Sequence, residues 1–232
     1  MAFNPKYSSV PLVEASGNIG MPALPIILPY NEKITQSFMG DTASRFSQKF
    51  KGGNVFTLNY TIPYPTASQI MLSSTDIVAF GWYINGATRW TLPYVVEAPV
   101  FDKKDWCKVT AYDTTRYNYS TYPIVVFFKA FQRKIEQQNV VVKYDDEVGT
   151  IIPLSQKQFD VLTFTTQPMN SDYARLLLDV AEWDNVTFQH WDTENNAWST
   201  SLNVAKKAEA WQKTNYPKTL GTTIQGSFII KQ

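Results

Sequence analysis

Cysteine and histidine are almost missing from this chain: Cys107 and His190 are the only ones in 232 residues. One thiol excludes an internal disulfide and a thiolate metal cluster, and it is expected as a buried, inert side chain. One imidazole leaves any histidine metal site dependent on carboxylates. His190 lies on an alternating run between Phe188 and Trp191 and reads as a structural or surface residue. Charge is scarce as well, at 18% of residues, where an ordinary soluble domain carries roughly 25%. The net charge is +1, which gives no electrostatic case for a nucleic-acid partner. The basic pairs Lys103-Lys104, Arg133-Lys134 and Lys206-Lys207 are too short to form a phosphate track. Long apolar runs are missing too. The stretch 19–28 is broken by Pro22 and Pro25 and is too short to span a bilayer, so no membrane partner is expected. Met1-Ala-Phe-Asn-Pro lacks the basic and then apolar pattern of a leader. We therefore expect synthesis in a reducing cytosol, and the Asn-x-Ser/Thr triplets at Asn59, Asn118 and Asn185 read as chance matches.

Motifs that carry chemistry are equally thin. There is no Gly-x-Ser-x-Gly elbow, no phosphate-binding loop and no dinucleotide fingerprint. Paired carboxylates would suit glycoside hydrolysis. The acidic groups Asp145-Asp146-Glu147 and Asp192 with Glu194 fall instead on expected turns, where acids are ordinary turn formers. The spacing of an EF-hand calcium loop is not found. No catalytic residue, cofactor or metal ligand is assigned.

Aromatic and β-forming sequence is what the chain has in quantity. Aromatics reach 15%, with 13 Tyr, 14 Phe and 7 Trp. A chain short of charge and rich in Tyr and Trp either buries surface in an assembly or displays rings for binding. Its centre is the stretch 77–96, where two β-rich runs meet at Asn85-Gly86, a strong hairpin signal because both positions tolerate positive φ. Further strands are expected over 55–62, 106–112, 124–131, 140–144, 159–165, 186–191, 197–204 and 222–231, with Asp192 to Asn196 turning a hairpin. Phe46 and Phe50, four apart, suit a short helix, and Val204, Ala208 and Trp211 give 205–213 helical spacing. The stretch 171–183 carries two signals. Its composition favours a helix capped by Ser171 or Asp172, and its alternation from Arg175 to Trp183 permits a strand. Its place between strands tips the reading to a strand. The sum is a mainly β chain: an antiparallel, jelly-roll-like β-sandwich of about ten strands with an extended N-terminal arm and one or two short helices.

Residues 1–32 form that arm, and 33–232 are expected to form a single sandwich domain. Pro5, Pro11, Pro22, Pro25 and Pro29 favour an extended path. Val10, Leu12, Val13, Ile19, Met21, Leu24, Ile26, Ile27 and Leu28 are too apolar for a solvated tail. They need cover, either from their own domain or from another subunit. Removing residues 1–30 is then expected to leave the β body folded and to block assembly. Tyr117, Tyr119 and Tyr122 on the loop 113–123, and Trp191 and Trp198 beside the 192–196 turn, offer stacking faces for a ligand or partner. Core and inter-sheet packing is the plainer use of such rings.

In its proline-broken arm from Asn4 to Tyr30 and its Tyr- and Asn-rich loops on a β body, the chain resembles bacteriophage virion structural proteins: head–tail connector rings, tail components and capsid-associated proteins. The resemblance implies a non-enzymatic subunit of the virion, made in the host cytoplasm. It would assemble with other copies of itself and with neighbouring structural proteins, through the arm and the aromatic loops, as a homo-oligomer. The alternative is a carbohydrate-binding or adhesin-like β module, which requires exposed, coplanar rings near Trp191 and Trp198.

Overall fold

The computed structural model describes residues 9–14, 24–38, 43–62, 66–84, 87–98, 103–112, 123–145, 151–207, 210–215 and 221–231. The chain is mainly β. Its first part supplies β1 (Leu12–Glu14), β2 (Ile26–Pro29), β3 (Lys33–Phe38), β4 (Ala43–Phe50), β5 (Val55–Ile62), β6 (Thr66–Met71), β7 (Ile77–Ile84), β8 (Ala87–Thr91) and β9 (Tyr94–Glu97). Five of these form one antiparallel sheet in the order β1-β8-β7-β4-β5. The expected hairpin is there: β7 and β8 pair from Gly81↔Trp90 to Ile84↔Ala87. Its turn residues Asn85 and Gly86 lie outside the described residues. The run after the turn is not one strand, however. It breaks at Leu92-Pro93, where proline has no N–H for the ladder. Beyond the break β9 pairs with β2 in parallel, an exception to the antiparallel arrangement expected. Phe46 and Phe50 lie on strand β4 rather than on a helix. Ladder partners on both edges, β5 and β7, outweigh their four-residue spacing.

The second part supplies β10 (Trp106–Tyr112), β11 (Ile124–Asp145), β12 (Ile151–Thr166), β13 (Asn185–Asp192), β14 (Ala197–Trp198), β15 (Leu202–Lys206), β16 (Gln212–Asn215) and β17 (Thr222–Ile230). Six of them close into an antiparallel barrel, in the ring order β10-β11-β12-β17-β15-β13 and back to β10. A barrel stands where a jelly-roll sandwich was expected. The reason is β10, which is paired on both edges: Cys107 lies opposite Phe128 on one side and His190 on the other. A sheet closed in this way has no second sheet to stack on, so its own interior-facing residues fill it. Phe128, Phe164, Phe188 and Phe228 are all buried there, with centroids 5.2 Å apart for Phe128 and Phe164 and 5.7 Å for Phe164 and Phe228.

Three other local expectations change. The stretch 171–183 is a helix, α1 (Ser171–Val180), not a strand. Its buried residues, Tyr173, Ala174, Leu176, Leu177 and Val180, follow the 3.6-residue period. Its cap is Asn170, one residue before the caps expected, whose Oδ1 accepts from the Asp172 and Tyr173 amides. The stretch 205–213 holds the end of β15 and the start of β16, because β17 offers ladder partners to both. The separate strands expected at 124–131 and 140–144 are one strand of 22 residues. The 192–196 hairpin does form. Asp192 Oδ1 accepts the Glu194 and Asn195 amides at 2.9 and 3.3 Å, and Asn196 takes φ of 49°.

Candidate functional site: a projecting β-ribbon

The N-terminal segment, where it is described, is part of its own body. β1 extends the five-stranded sheet, and Leu12 and Val13 pair with Thr91 and Trp90. Val10, Ile26 and Leu28 are buried in the common core. Ser9 stitches two strands together: its Oγ accepts the amides of Thr35 and Val125, both at 3.0 Å. Leu24 is half-buried beside Gly221, and its carbonyl accepts from the Asn170 amide. Ile27 is exposed, at 40%. Ile19 and Met21 lie outside the described residues. Val10, Ile26 and Leu28 thus find their cover on their own chain, and β1 and β2 pair with strands of the body.

The aromatic loops give a similar answer. Tyr117, Tyr119 and Tyr122 lie outside the described residues. Trp191 and Trp198 are half-buried and stand edge to face at 87°, with centroids 5.4 Å apart. The Lys103 ammonium sits 4.4 Å from the Trp191 ring centre and that of Lys108 sits 4.5 Å from Trp198. The Trp198 indole N–H donates to Glu32 at 2.7 Å. Burial lowers the Lys108 pKa, partly offset by Glu32. A second clamp repeats the chemistry: Trp106 Nε1 donates to Glu97 at 3.0 Å, and Lys129 reaches the same carboxylate at 2.6 Å and lies 5.3 Å from the Trp106 ring. These groups fasten the segments carrying Glu32 and Glu97 to the barrel. Sequence reasoning had Trp191 and Trp198 side by side but missed their lysine and glutamate partners, which come from distant parts of the chain.

Chemically reactive groups are quiet. Cys107 is fully buried, and burial pushes its thiol up to about 12. His190 is held below its ordinary pKa by burial and by the Arg133 guanidinium, against the pull of Asp192. Among the described residues no three His, Cys, Asp or Glu side chains gather closely enough to hold a metal ion. A cleft between Ile27, Trp106 and Tyr173 has room for about 40 Å³, whereas small-molecule sites span roughly 300–1,000 Å³.

The feature that stands out is a ribbon. β11 pairs with β10 only over Ile124 to Lys129, then continues with β12 as far as Asp145↔Ile151. β12 meets β17 only over Val161 to Thr165. From Gln137↔Asp160 outward the two strands pair only with each other among the described residues, and near the base Lys207 donates to Gln138 Oε1 at 2.7 Å. At roughly 3.3 Å per residue that length projects about 30 Å from the barrel. Residues 131–137 are exposed along its base, Phe131 at 63% and Ile135 at 53%. Val140, further out, is 47% exposed. A register shift between Ala130 and Gln132 marks where the strand leaves the barrel, as bulges at barrel rims do. The sequence signal for this ribbon was the unusual length of strand-forming residues between Pro123 and Asp145. The polar run 132–139 hid it by dividing the apolar stretches.

No known family model matches this chain, and no curated protein is detectably similar to it.

Proposed function

We propose that this chain is a non-enzymatic structural subunit of a large assembly, of the kind found in bacteriophage virions as connector, tail or capsid component, and that it joins its neighbours through the β11–β12 ribbon. The observation that supports this reading is the ribbon itself. A two-stranded ribbon is at best marginally stable in water, and needs a third strand or an apolar partner to hold its shape. Here it lies beyond the barrel, with Val140 exposed on it and Phe131 and Ile135 exposed at its base. A neighbouring subunit that covers those side chains would supply the missing layer. Each covered residue contributes on the order of 1.5–3 kcal/mol, and repetition around a closed ring or shell multiplies weak contacts into a lasting one.

The N-terminal residues 9–14 and 24–32 have a different role in this reading: they complete the body that carries the ribbon. The test is to remove residues 137–160, joining the two strands by a short turn, and to image both proteins by negative stain. The full chain should form rings, tubes or other closed oligomers that the shortened one does not. Identical particles from both proteins would rule the ribbon out as the assembly element. The carbohydrate-binding reading has no support in the Trp191–Trp198 geometry, where the rings are perpendicular and covered by lysines.

A further inference from the structure

We propose that the outer end of the ribbon, residues 145–151, docks on the next copy of this chain at the cleft beside Ile27, with its acidic residues against Lys103 and Lys108. This rests on the reading of the ribbon as the assembly element and names the surface that receives it. That surface is one continuous patch on the outside of the barrel. Phe128 faces the interior, so its neighbours Phe127 and Lys129 face outward, as do Lys108 and Trp106 directly opposite them on β10. Trp106, Phe127 and Lys129 wall the cleft together with Ile27, Met169 and Tyr173.

Two features of the patch lack a match among the described residues. One is Ile27, an apolar side chain left 40% exposed at the cleft. The other is charge. The ammonium groups of Lys103, Lys108 and Lys129 gather around the carboxylates of Glu32 and Glu97 alone. Lys129 takes Glu97 at 2.6 Å. Glu32 is shared: it lies 4.0 Å from Lys103, accepts the Trp198 indole N–H at 2.7 Å and attracts Lys108. Lys108 is half-buried over the Trp198 ring, so its ammonium has lost part of its water without gaining a carboxylate of its own. A carboxylate arriving from outside would meet a partly desolvated cation, where an ion pair gains more than in open water.

Charge and chain length select the occupant. The last pair of the ribbon is Asp145↔Ile151, and the segment that joins them, 146–150, lies outside the described residues and reads Asp-Glu-Val-Gly-Thr. Three acids in a row are thus followed by one branched apolar residue, Val148. The segment offers what the patch lacks. Its carboxylates suit the ammonium surplus at Lys103 and Lys108. The cleft of about 40 Å³ exceeds the roughly 10–15 Å³ that one water needs and suits the end of a single apolar side chain. The ribbon cannot deliver this end to its own cleft. Lys129 and Asp145 lie on one strand, sixteen residues apart, which is about 50 Å at roughly 3.3 Å per residue. Two register shifts bend that strand, but its ladder with β12 runs on to the last pair and does not double back. Cleft and acidic end therefore meet only between copies, head to tail, the kind of contact that closes into rings or runs on as filaments.

Sedimentation velocity of the full chain over a dilution series tests this with two variants. Ile27→Glu sets a carboxylate at the cleft. Asp146→Lys with Glu147→Lys makes the ribbon end basic. Each protein alone brings like charges together at every contact and should assemble about tenfold or more weakly than the wild type. Mixed in equal amounts, the two should assemble like the wild type. In an alternating row every contact then joins either two native surfaces or a lysine-bearing end and a glutamate-bearing cleft. Recovery in the mixture also shows that both variants are folded. A single variant that assembles as tightly as the wild type overturns the proposal, and so does a mixture that stays apart. The chain lacking residues 137–160 separates this failure from that of the ribbon reading. If it assembles like the wild type, the ribbon reading falls and this inference with it. If it stays apart while each variant alone assembles normally, the ribbon stands and this docking surface falls. A wild type that stays monomeric overturns both.

Discussion

In the barrel every strand has a neighbour on both sides, and the interior is filled by four packed phenylalanines. In the amino-terminal sheet β7 has neighbours on both sides, but among the described residues the sheet ends at β5 on one edge and at the three-residue β1 on the other. The parallel pair β2–β9 and the antiparallel pair β3–β6 stand apart from it as two-stranded sheets. Closure lets a barrel hold its own edges. The open part relies on stitches: Ser9 between β3 and β11, Glu32 to Trp198, Glu97 to Trp106. The difference teaches how each part meets its hydrogen-bonding needs, by closure in the barrel and by side-chain stitches in the open part.

The largest effect should come from removing residues 1–30. The deletion strips β1, β2 and the buried Val10, Ile26 and Leu28. At about 1.5–3 kcal/mol per buried side chain the loss approaches the whole stability of a domain. The body is then not expected to survive the truncation intact, contrary to what the sequence suggests. Hydrogen exchange should show β7, β8 and β9 losing protection before β10 and β13. Equal loss in both regions would erase the contrast drawn here.

Ser9→Ala comes next. It leaves the Thr35 and Val125 amides without their acceptor, which costs about 2–4 kcal/mol in urea unfolding. A loss below that would mean that the stitch is replaceable by water.

A matched pair of glycine substitutions sharpens the comparison further. A Cβ at Gly226, in the barrel, would meet Phe164 Cζ at 2.9 Å and the Trp211 ring at 3.0 Å. Phe164 is boxed in by Phe128, Phe188 and Phe228, so Gly226→Ala should cost about 1–3 kcal/mol. A Cβ at Gly81, in the open sheet, would meet the Trp90 ring at 2.8 Å. Trp90 is half-buried whereas Phe164 is fully buried, so Gly81→Ala should cost less than Gly226→Ala in the same melting experiment.

The smallest effect concerns acid. The folded chain holds the His190 pKa below the ordinary 6.5, first by burial and then by Arg133. The unfolded chain therefore takes up the proton first as pH falls. The stability this histidine contributes is complete above 6.5 and declines below it. Urea midpoints at about pH 7 and about pH 5 should differ more for the wild type than for His190→Gln.

Much of the strand content was legible in the sequence because alternation and turn residues are local. Val55–Ile62, Trp106–Tyr112 and the Asp192–Asn196 turn stand where their residues place them. The helix Ser171–Val180 was misread because position between strands was weighed above the period of its buried residues. The mainly β class, the scarcity of reactive side chains and the β5 pattern belong to the sequence itself, since they depend on composition and near neighbours. Closure into a barrel, the ribbon beyond it and the burial of Val10, Ile26 and Leu28 were decided by tertiary structure. Each depends on which distant strand supplies the hydrogen bonds to an edge, and no local pattern of side chains records that choice.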